Sequence, residues 1–178
     1  PGIYSLSPYT SEEVVTRDFL VKDHPDAIIN IVDATNLERN LYLTLQLMEL
    51  NIPMILALNM MDEVRASGNT IHVKKLSQEL GIPVIPISAA KGEGISDLLD
   101  TVIKTLKGDK ALPRLDFCKG EVHRAIHSIA HIIEDHAQAA GYPIRFAATK
   151  LVEGDEAMMD KLEINQNERE IVQHVADE

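Results

Sequence analysis

Two short polar motifs contain the side chains of this 178-residue sequence that could recognise a ligand. The first is an Asn-x-x-Asp motif and the second is Ser-Ala-Ala. Their members are Asn59, Met60, Asp62, Ser88, Ala89 and Ala90. A carboxylate such as that of Asp62 can accept two hydrogen bonds at once from adjacent N–H donors. Guanine presents such a pair in its N1–H and its 2-amino group, whereas adenine presents a lone pair at N1. Because unpaired buried polar groups reject a ligand strongly, the motifs predict a site that selects guanine.

The remaining motif residues have supporting roles in this prediction. The amide of Asn59 can donate to the base and can tie the two loops together. The small side chain of Ala89 lets its backbone N–H approach an exocyclic oxygen, and the hydroxyl of Ser88 can orient Asp62.

Three short apolar runs precede polar residues and would position these motifs. They cover residues 27–32, 53–58 and 83–87. Runs of this length, rich in β-branched residues, predict buried strands of a parallel sheet. Amphipathic patterns predict helices at residues 10–21, 36–50, 71–80 and 95–106. The alternation predicts an α/β doubly wound fold, in which ligands bind at the carboxyl ends of the strands.

The pattern changes after Gly108. Residues 108–114 look like a linker, residues 116–140 predict one continuous helix, and shorter helical pieces follow. We therefore expect two domains, a sheet-containing one over residues 1–110 and a small all-α one over 111–178.

Composition excludes several classes of protein. The single Cys118 excludes an internal disulfide and a multi-cysteine metal site. Apolar runs of about 18 residues are absent, which argues against a spanning helix. The formal charge of −11 disfavours a nucleic-acid partner, because binding to phosphates requires a basic surface.

His123, His127 and His131 recur at four-residue spacing in the predicted long helix. They could form a metal-binding or pH-sensing stripe. However, successive steps of four residues drift by about 40° around a helix, so three side chains converge poorly on one ion. We therefore assign no metal ligands, and we expect a partly solvated helix face instead. Asp33, at the end of a predicted strand, is expected to cap the next helix.

The two motifs resemble those of translation-factor-type GTPases, which read guanine with Asn-Lys-x-Asp and Ser-Ala-Lys. The sequence departs from that pattern at Met60, whose thioether chain can cover the base plane without a charge. The opening residues 1–13 are similar to the second switch of the bacterial ferrous iron transport protein B family, whose base motif is likewise Asn-Met-x-Asp. This resemblance implies a P-loop GTPase-like, mostly parallel sheet that is incomplete at its N-terminus, followed by a small helical domain.

The resemblance also implies a switch that binds GTP or GDP and hydrolyses GTP slowly. Switch II would contain Pro1, Gly2, Ile3 and Tyr4, with the backbone N–H of Gly2 facing the γ-phosphate. Ile3 stands where many GTPases have the glutamine that orients water, so we assign no catalytic side chain.

No Gly-x-x-x-x-Gly-Lys-[Ser/Thr] motif occurs in the sequence. We expect the phosphate-binding residues and the Mg²⁺ ligands before Pro1. Whether a monovalent cation also binds is left open. The chain alone is then expected to be inactive. The resemblance further implies a transmembrane iron-permease domain in the same parent chain, at the cytoplasmic face of the bacterial inner membrane, and leaves self-association open.

Two alternative functions share some of these features. A ribosome-assembly-type GTPase would have the same base motifs, but the negative charge disfavours RNA binding. A non-catalytic protein-interaction module would be consistent with the missing phosphate-binding motif.

Overall fold

A computed structural model gives the structure of residues 2–7, 10–108 and 120–177. Pro1, most of the predicted linker and residues 116–119 of the predicted long helix lie outside these described residues. The chain divides into two compact units. One, called here the sheet unit, is Pro25–Leu115, and the other, the helical unit, is Pro1–His24 together with Asp116–Glu178. The predicted domain boundary at residue 110 falls outside the described residues and stays a prediction.

The described part of the sheet unit contains three parallel strands in the order β1-β2-β3. The strands are β1 (Ile28–Asp33), β2 (Met54–Asn59) and β3 (Val84–Pro86). The helices of this unit are α2 (Leu37–Met48), α3 (Met61–Ala66), α4 (Val73–Leu80) and α5 (Ile95–Lys107). The predicted α/β class with a parallel sheet is thereby confirmed. The helix α3 was not predicted, because six residues are too few to show a periodic apolar pattern.

Strand β2 lies at the centre of the sheet, and residues 54–58 are buried. Ile55 and Ala57 of this strand pack with Ile87 and with Leu98 of α5. These contacts form an apolar cluster under one face of the sheet, and they hold α5 beside the loop that follows β3.

Strand β1 is only half buried, which corrects the prediction of a fully buried strand. Ile29 and Ile31 are 43% and 62% exposed, whereas Asn30 and Val32 on the opposite face are buried. Ile29 pairs in register with Ile55, and Ile31 with Ala57, so they share the face on which α5 packs. Because β1 is at the edge of the described sheet, α5 covers its neighbour but leaves Ile29 and Ile31 accessible.

The predicted helix end at residue 80 and the predicted cap at Asp33 are confirmed. Gly81 ends α4 in the left-handed conformation, with φ of 64°. The Asp33 carboxylate accepts a hydrogen bond from the backbone N–H of Thr35 and caps the 3₁₀ turn Ala34–Asn36.

The described part of the helical unit consists of helices. They are α1 (Ser11–Lys22), α6 (Glu121–Ile132), α7 (Glu134–Ala140), α8 (Ile144–Val152), α9 (Glu156–Lys161) and α10 (Gln166–Asp177). The continuous helix predicted over 116–140 is wrong, because the fully buried Ile133 adopts φ of −98° and ψ of 4° and separates α6 from α7. Within the described residues, no helix combines the length and the apolar character that a membrane crossing requires.

A buried ion pair joins distant parts of the helical unit. The guanidinium of Arg17 on α1 lies 2.8 Å from the carboxylate of Asp155, and the two side chains are only 1% and 4% exposed. Asp155 also accepts a hydrogen bond from the backbone N–H of Met158 and caps α9. Loss of one partner from such a pair leaves an uncompensated buried charge, which costs about 3–5 kcal/mol.

We predict that Gly94→Ala destabilises the chain more than Gly92→Ala does. Both glycines have positive φ, so both substitutions incur the left-handed penalty of about 1–2 kcal/mol. A Cβ at Gly94 would also lie 2.3 Å from the carbonyl oxygen of Pro86, whereas a Cβ at Gly92 meets nothing within 4 Å. The clash should add about 1–3 kcal/mol to the loss at Gly94. Urea unfolding of the two variants measures this difference, and equal unfolding midpoints would contradict it.

Candidate nucleotide-binding site

The parallel sheet brings the two polar motifs together. Asn59 is the last residue of β2, and Asp62 lies in the first turn of α3. Residues 88–90 follow β3, and a 3₁₀ turn covers Ala89–Lys91. The backbone N–H of Ile87 donates to Leu58 at 2.7 Å, so pairing of the two strands continues up to the start of the second motif.

Asn59 ties the two loops to each other, as its motif predicts. Its side-chain oxygen accepts a hydrogen bond from the backbone N–H of Ala89 at 3.0 Å. In this structure the Ala89 N–H is therefore engaged by Asn59 rather than directed at a ligand. The amide nitrogen of Asn59 has the donor character that a base acceptor would require. The assignment of both residues to base recognition stays a prediction.

Asp62 is held as an anion at this edge of the sheet. Its carboxylate is 3.2 Å from the Lys91 ammonium, and its side chain is 16% exposed. The pKa of Asp62 is lowered from its ordinary value, first by the nearby Ser88 hydroxyl and then by Lys91. An ionised carboxylate can only accept hydrogen bonds, which is the property that recognition of guanine requires.

The Ser88 hydroxyl is buried and makes no hydrogen bond of standard geometry with any described group, although it is close enough to lower the pKa of Asp62. Its role in orienting Asp62 stays a prediction. The backbone of Ser88 exchanges two hydrogen bonds of 3.1 Å with Glu93, which closes residues 88–93 into a short turn.

Met60 adopts the left-handed backbone conformation, with φ of 63° and ψ of 27°. Its carbonyl oxygen accepts the backbone N–H groups of Glu63 and Val64, so this conformation starts α3 directly behind Asn59. Conformations of this kind cost of order 1–3 kcal/mol in a non-glycine residue, and they cluster at ligand-binding sites. The thioether side chain is 38% exposed, as a side chain that covers a base would be, but that role stays a prediction.

A second ion pair at this edge was not found by sequence reasoning. Arg65 on α3 pairs with Glu93 in the loop after β3, and both side chains are about half exposed. Together with the Asn59–Ala89 hydrogen bond and the Lys91–Asp62 pair, it forms a third link between the two loops. Such contacts between residues 28 positions apart leave no local sequence signal. Exposed pairs of this kind contribute about 0–1 kcal/mol each, so they orient the loops more than they stabilise them.

The predicted switch residues lie in the other unit. Gly2, Ile3 and Tyr4 belong to the helical unit, whereas Pro1 lies outside the described residues. Gly2 is exposed, and a Cβ there would meet nothing within 4 Å. The predicted contact between the Gly2 N–H and a γ-phosphate stays a prediction.

The histidines of α6 do not form a metal-ligand cluster with their described neighbours. The rings of His123 and His127 contact each other in a tilted arrangement, with centroids 4.5 Å apart and ring planes at 55°. His136 of α7 lies 3.1 Å from the carboxylate of Glu168. Among the described residues, no group of three histidine, cysteine or acidic side chains is arranged to hold a metal ion.

Comparisons with known sequences match nearly the whole chain. The sequence family described as "Ferrous iron transport protein B" matches residues 1–102, and the family described as "FeoB cytosolic helical domain" matches residues 119–178. A fusion of Fe(2+) transport protein A with the Fe(2+) transporter FeoB, from Porphyromonas gingivalis, is 41% identical over 162 residues. These residues are 89% of this chain and 19% of that protein. The Fe(2+) transporter FeoB of Helicobacter pylori strain J99 is 50% identical over 107 residues, which are 58% of this chain and 17% of the transporter. The chain thus spans about a fifth of the length of the curated relatives that it matches.

Solved structures match both units of the chain. NFeoB from S. thermophilus bound to GDP·AlF4⁻ and K⁺ has a TM-score of 0.85 and 40% identity, covering 99% of this chain and 68% of that one. A GDP-bound mutant of the same protein has a TM-score of 0.85 and 40% identity, covering 98% and 67%. The chain belongs to the ferrous iron transport protein B family, with the sequence of its G domain over residues 1–102 and of its cytosolic helical domain over residues 119–178.

Proposed function

We propose that the chain is part of a cytosolic domain that binds GTP and GDP, hydrolyses GTP slowly and regulates ferrous iron uptake through a membrane transporter. The transporter would be the transmembrane domain of the same parent chain, at the cytoplasmic face of the bacterial inner membrane. The observation that carries the proposal is the Asp62 carboxylate, which lies 3.2 Å from the Lys91 ammonium where the Asn59–Ala89 hydrogen bond joins the loops after β2 and β3. Family membership and the guanine nucleotides bound by the S. thermophilus structures support it.

Base selection follows from the chemistry of Asp62. Its two oxygens would accept the N1–H and the 2-amino hydrogen of guanine, and the Asn59 amide would donate to the base. Adenine would place a lone pair against the carboxylate and leave it without a partner. We assign Met60 to cover one face of the guanine ring, because its exposed thioether would pack on the base plane.

The residues that bind the phosphates and Mg²⁺ are proposed to lie in sequence upstream of Pro1. The chain contains no Gly-x-x-x-x-Gly-Lys-[Ser/Thr] motif, and its described residues offer no cluster of three suitable metal ligands. The edge position of β1 supports a sheet that continues into another part of the parent chain, because the exposed Ile29 and Ile31 lie on the face that α5 only partly covers. A further strand and helix of the parent chain would bury both residues. Mg²⁺ would neutralise phosphate charge there, and a K⁺-like monovalent cation is assigned to the same region.

In GTP hydrolysis we assign this chain the role of positioning the γ-phosphate. The backbone N–H of Gly2 would donate to the γ-phosphate, and the loop after it would reorder when that phosphate leaves. Ile3 has no group that can orient water, so no described side chain is assigned as a catalytic base.

A non-catalytic interaction module is the second candidate, and the missing phosphate-binding motif favours it. Binding of GDP to an N-terminally extended protein would separate the two, since a module would not bind it. An RNA-directed GTPase is disfavoured by the charge of −11.

We predict that Asp62→Asn lowers GDP affinity of the extended protein by about 100-fold or more, because one of the two acceptors for guanine becomes an amide donor that opposes a donor of the base. The variant should gain affinity for xanthosine diphosphate, whose 2-oxo group accepts the new amide N–H. Titration calorimetry with both nucleotides measures the change, and Glu63→Gln is the matched control. Unchanged GDP preference in Asp62→Asn would refute the assignment.

The 178-residue chain alone is expected to release no phosphate from GTP above the buffer rate, because it lacks the phosphate-binding motif. A phosphate-release assay beside the extended protein tests this expectation. Equal rates in the two proteins would place the catalytic groups within the 178 residues instead.

The exposed face of β1 gives a separate test of the incomplete sheet. Ile31→Lys should change the unfolding free energy of the 178-residue chain by less than about 0.5 kcal/mol, because the site is exposed. In the extended protein the same change should cost about 2 kcal/mol or more, because it would bury a charge. Ile171→Lys, at a half-exposed isoleucine of α10, should affect both proteins equally. An equal effect of Ile31→Lys in both would contradict a covered face.

A further inference from the structure

The loop that follows Gly2 is attached to α8 through buried polar groups. Leu6 in this loop is fully buried, and Ser5 and Ser7 on either side of it each contact a charged residue of the helical unit. The hydroxyl of Ser5 donates to Glu13 at 2.7 Å, and Ser7 lies 3.4 Å from the ammonium of Lys150. Three successive side chains thus hold this loop in one position.

Lys150 is the unusual member of this network. Its side chain on α8 is 0% exposed, although a buried ammonium is costly unless it is paired. Its principal partner is the Glu153 carboxylate at 2.6 Å, one turn along the same helix. The longer contact to Ser7 is close to the limit of a hydrogen bond. Lys150 is therefore hydrogen-bonded strongly to Glu153 and weakly to Ser7 of the loop, and its ammonium also lies 5.8 Å from the centroid of the Phe146 ring.

Glu13 completes the attachment from the α1 side. Its carboxylate accepts the hydroxyl of Ser5 and both the backbone N–H and the hydroxyl of Thr10, the latter two at 3.0 Å. The bond from the Thr10 N–H forms the capping box at the start of α1 together with a bond from the Glu13 N–H to the Thr10 hydroxyl. The pKa of Glu13 is lowered, first by Ser5 and also by Thr10 and by Lys150, so the carboxylate is ionised at neutral pH.

The two buried cations of this unit differ in how readily their contacts can break. Separating Arg17 from Asp155 would leave two buried charges unpaired, which makes that contact permanent. When Ser7 moves away from Lys150, in contrast, Glu153 still neutralises the ammonium. The Arg17–Asp155 contact of α1 is therefore fixed, whereas the contact between Lys150 and Ser7 of the loop can be released.

We propose that Lys150 is a positioning residue that holds the loop of residues 2–7 against α8, and that its contact with Ser7 breaks when the nucleotide state changes at Gly2. This proposal rests on the proposed function, which assigns the loop to switch II. It gives the helical domain a direct route for sensing that switch, through a contact that can be broken without exposing an unpaired charge.

Amide hydrogen exchange on the nucleotide-free 178-residue chain tests the attachment. Lys150→Met should accelerate exchange of residues 3–7 by about tenfold or more, because it removes the buried partner of Ser7 and also leaves the Glu153 carboxylate without its cation. Ser7→Ala keeps the buried ammonium and its Glu153 partner, and it should accelerate the same amides by a smaller factor. Lys161→Met is the matched control: Lys161 pairs with Asp18 of α1 at 2.6 Å, so its loss should leave residues 3–7 unchanged.

Faster exchange confined to residues 3–7 in both variants supports the proposal. Unchanged exchange of this loop in folded Ser7→Ala overturns it, and so does acceleration spread evenly over α6–α10. If Lys150→Met fails to fold, Ser7→Ala alone decides.

The second measurement is the GDP dissociation rate of the N-terminally extended protein. Ser7→Ala should change that rate at least threefold, whereas Lys161→Met should not change it. Binding of GDP with an unchanged rate in Ser7→Ala refutes the coupling alone. Absence of guanine-nucleotide binding in the unsubstituted extended protein refutes the proposed function, and the coupling with it.

Discussion

The candidate site depends on the parallel pairing of β2 with β3. The register Leu56↔Val84 sets both strands to end at the same edge, and the hydrogen bond from Ile87 to Leu58 extends that pairing to the last residue before the second motif. Residues about 30 positions apart can then contact each other through Asn59 and Ala89. A slip of one residue in this register would turn every side chain of the shifted strand to the opposite face and would separate the two loops.

Charged side chains serve different purposes in the two units. In the sheet unit the pairs Arg65–Glu93 and Lys91–Asp62 include half-exposed cations, so water and salt screen them, and they mainly orient loops. In the helical unit Arg17 and Lys150 are buried, and loss of the acidic partner of either would leave an uncompensated buried charge. The first arrangement suits a surface that must remain open to a ligand. The second suits a scaffold that must hold a loop in a defined place.

The sequence was sufficient to predict the strands, most helices and the local caps. Short apolar runs, the glycine at position 81 and the aspartate at position 33 act within a few residues of themselves, so their effects can be recognised from sequence. The break at Ile133 could not be predicted, because the apolar spacing continues unchanged through it and only tertiary burial distinguishes the residue. The burial of Lys150 was also hidden, since a lysine in an amphipathic pattern normally lies in solvent. In the candidate site the motif residues could be chosen from type and spacing, whereas Arg65 and Glu93 become partners only through the fold.

The left-handed backbone of Met60 restricts which amino acids can replace it. A branched Cβ is a severe steric burden at φ of 63°, and proline cannot reach that angle at all. Valine, isoleucine, threonine and proline are thereby disfavoured at this position, whatever they would do to a ligand. Unbranched chains such as lysine and methionine share the permitted backbone. The exchange of one for the other can therefore alter the charge at this position without disturbing the turn that starts α3.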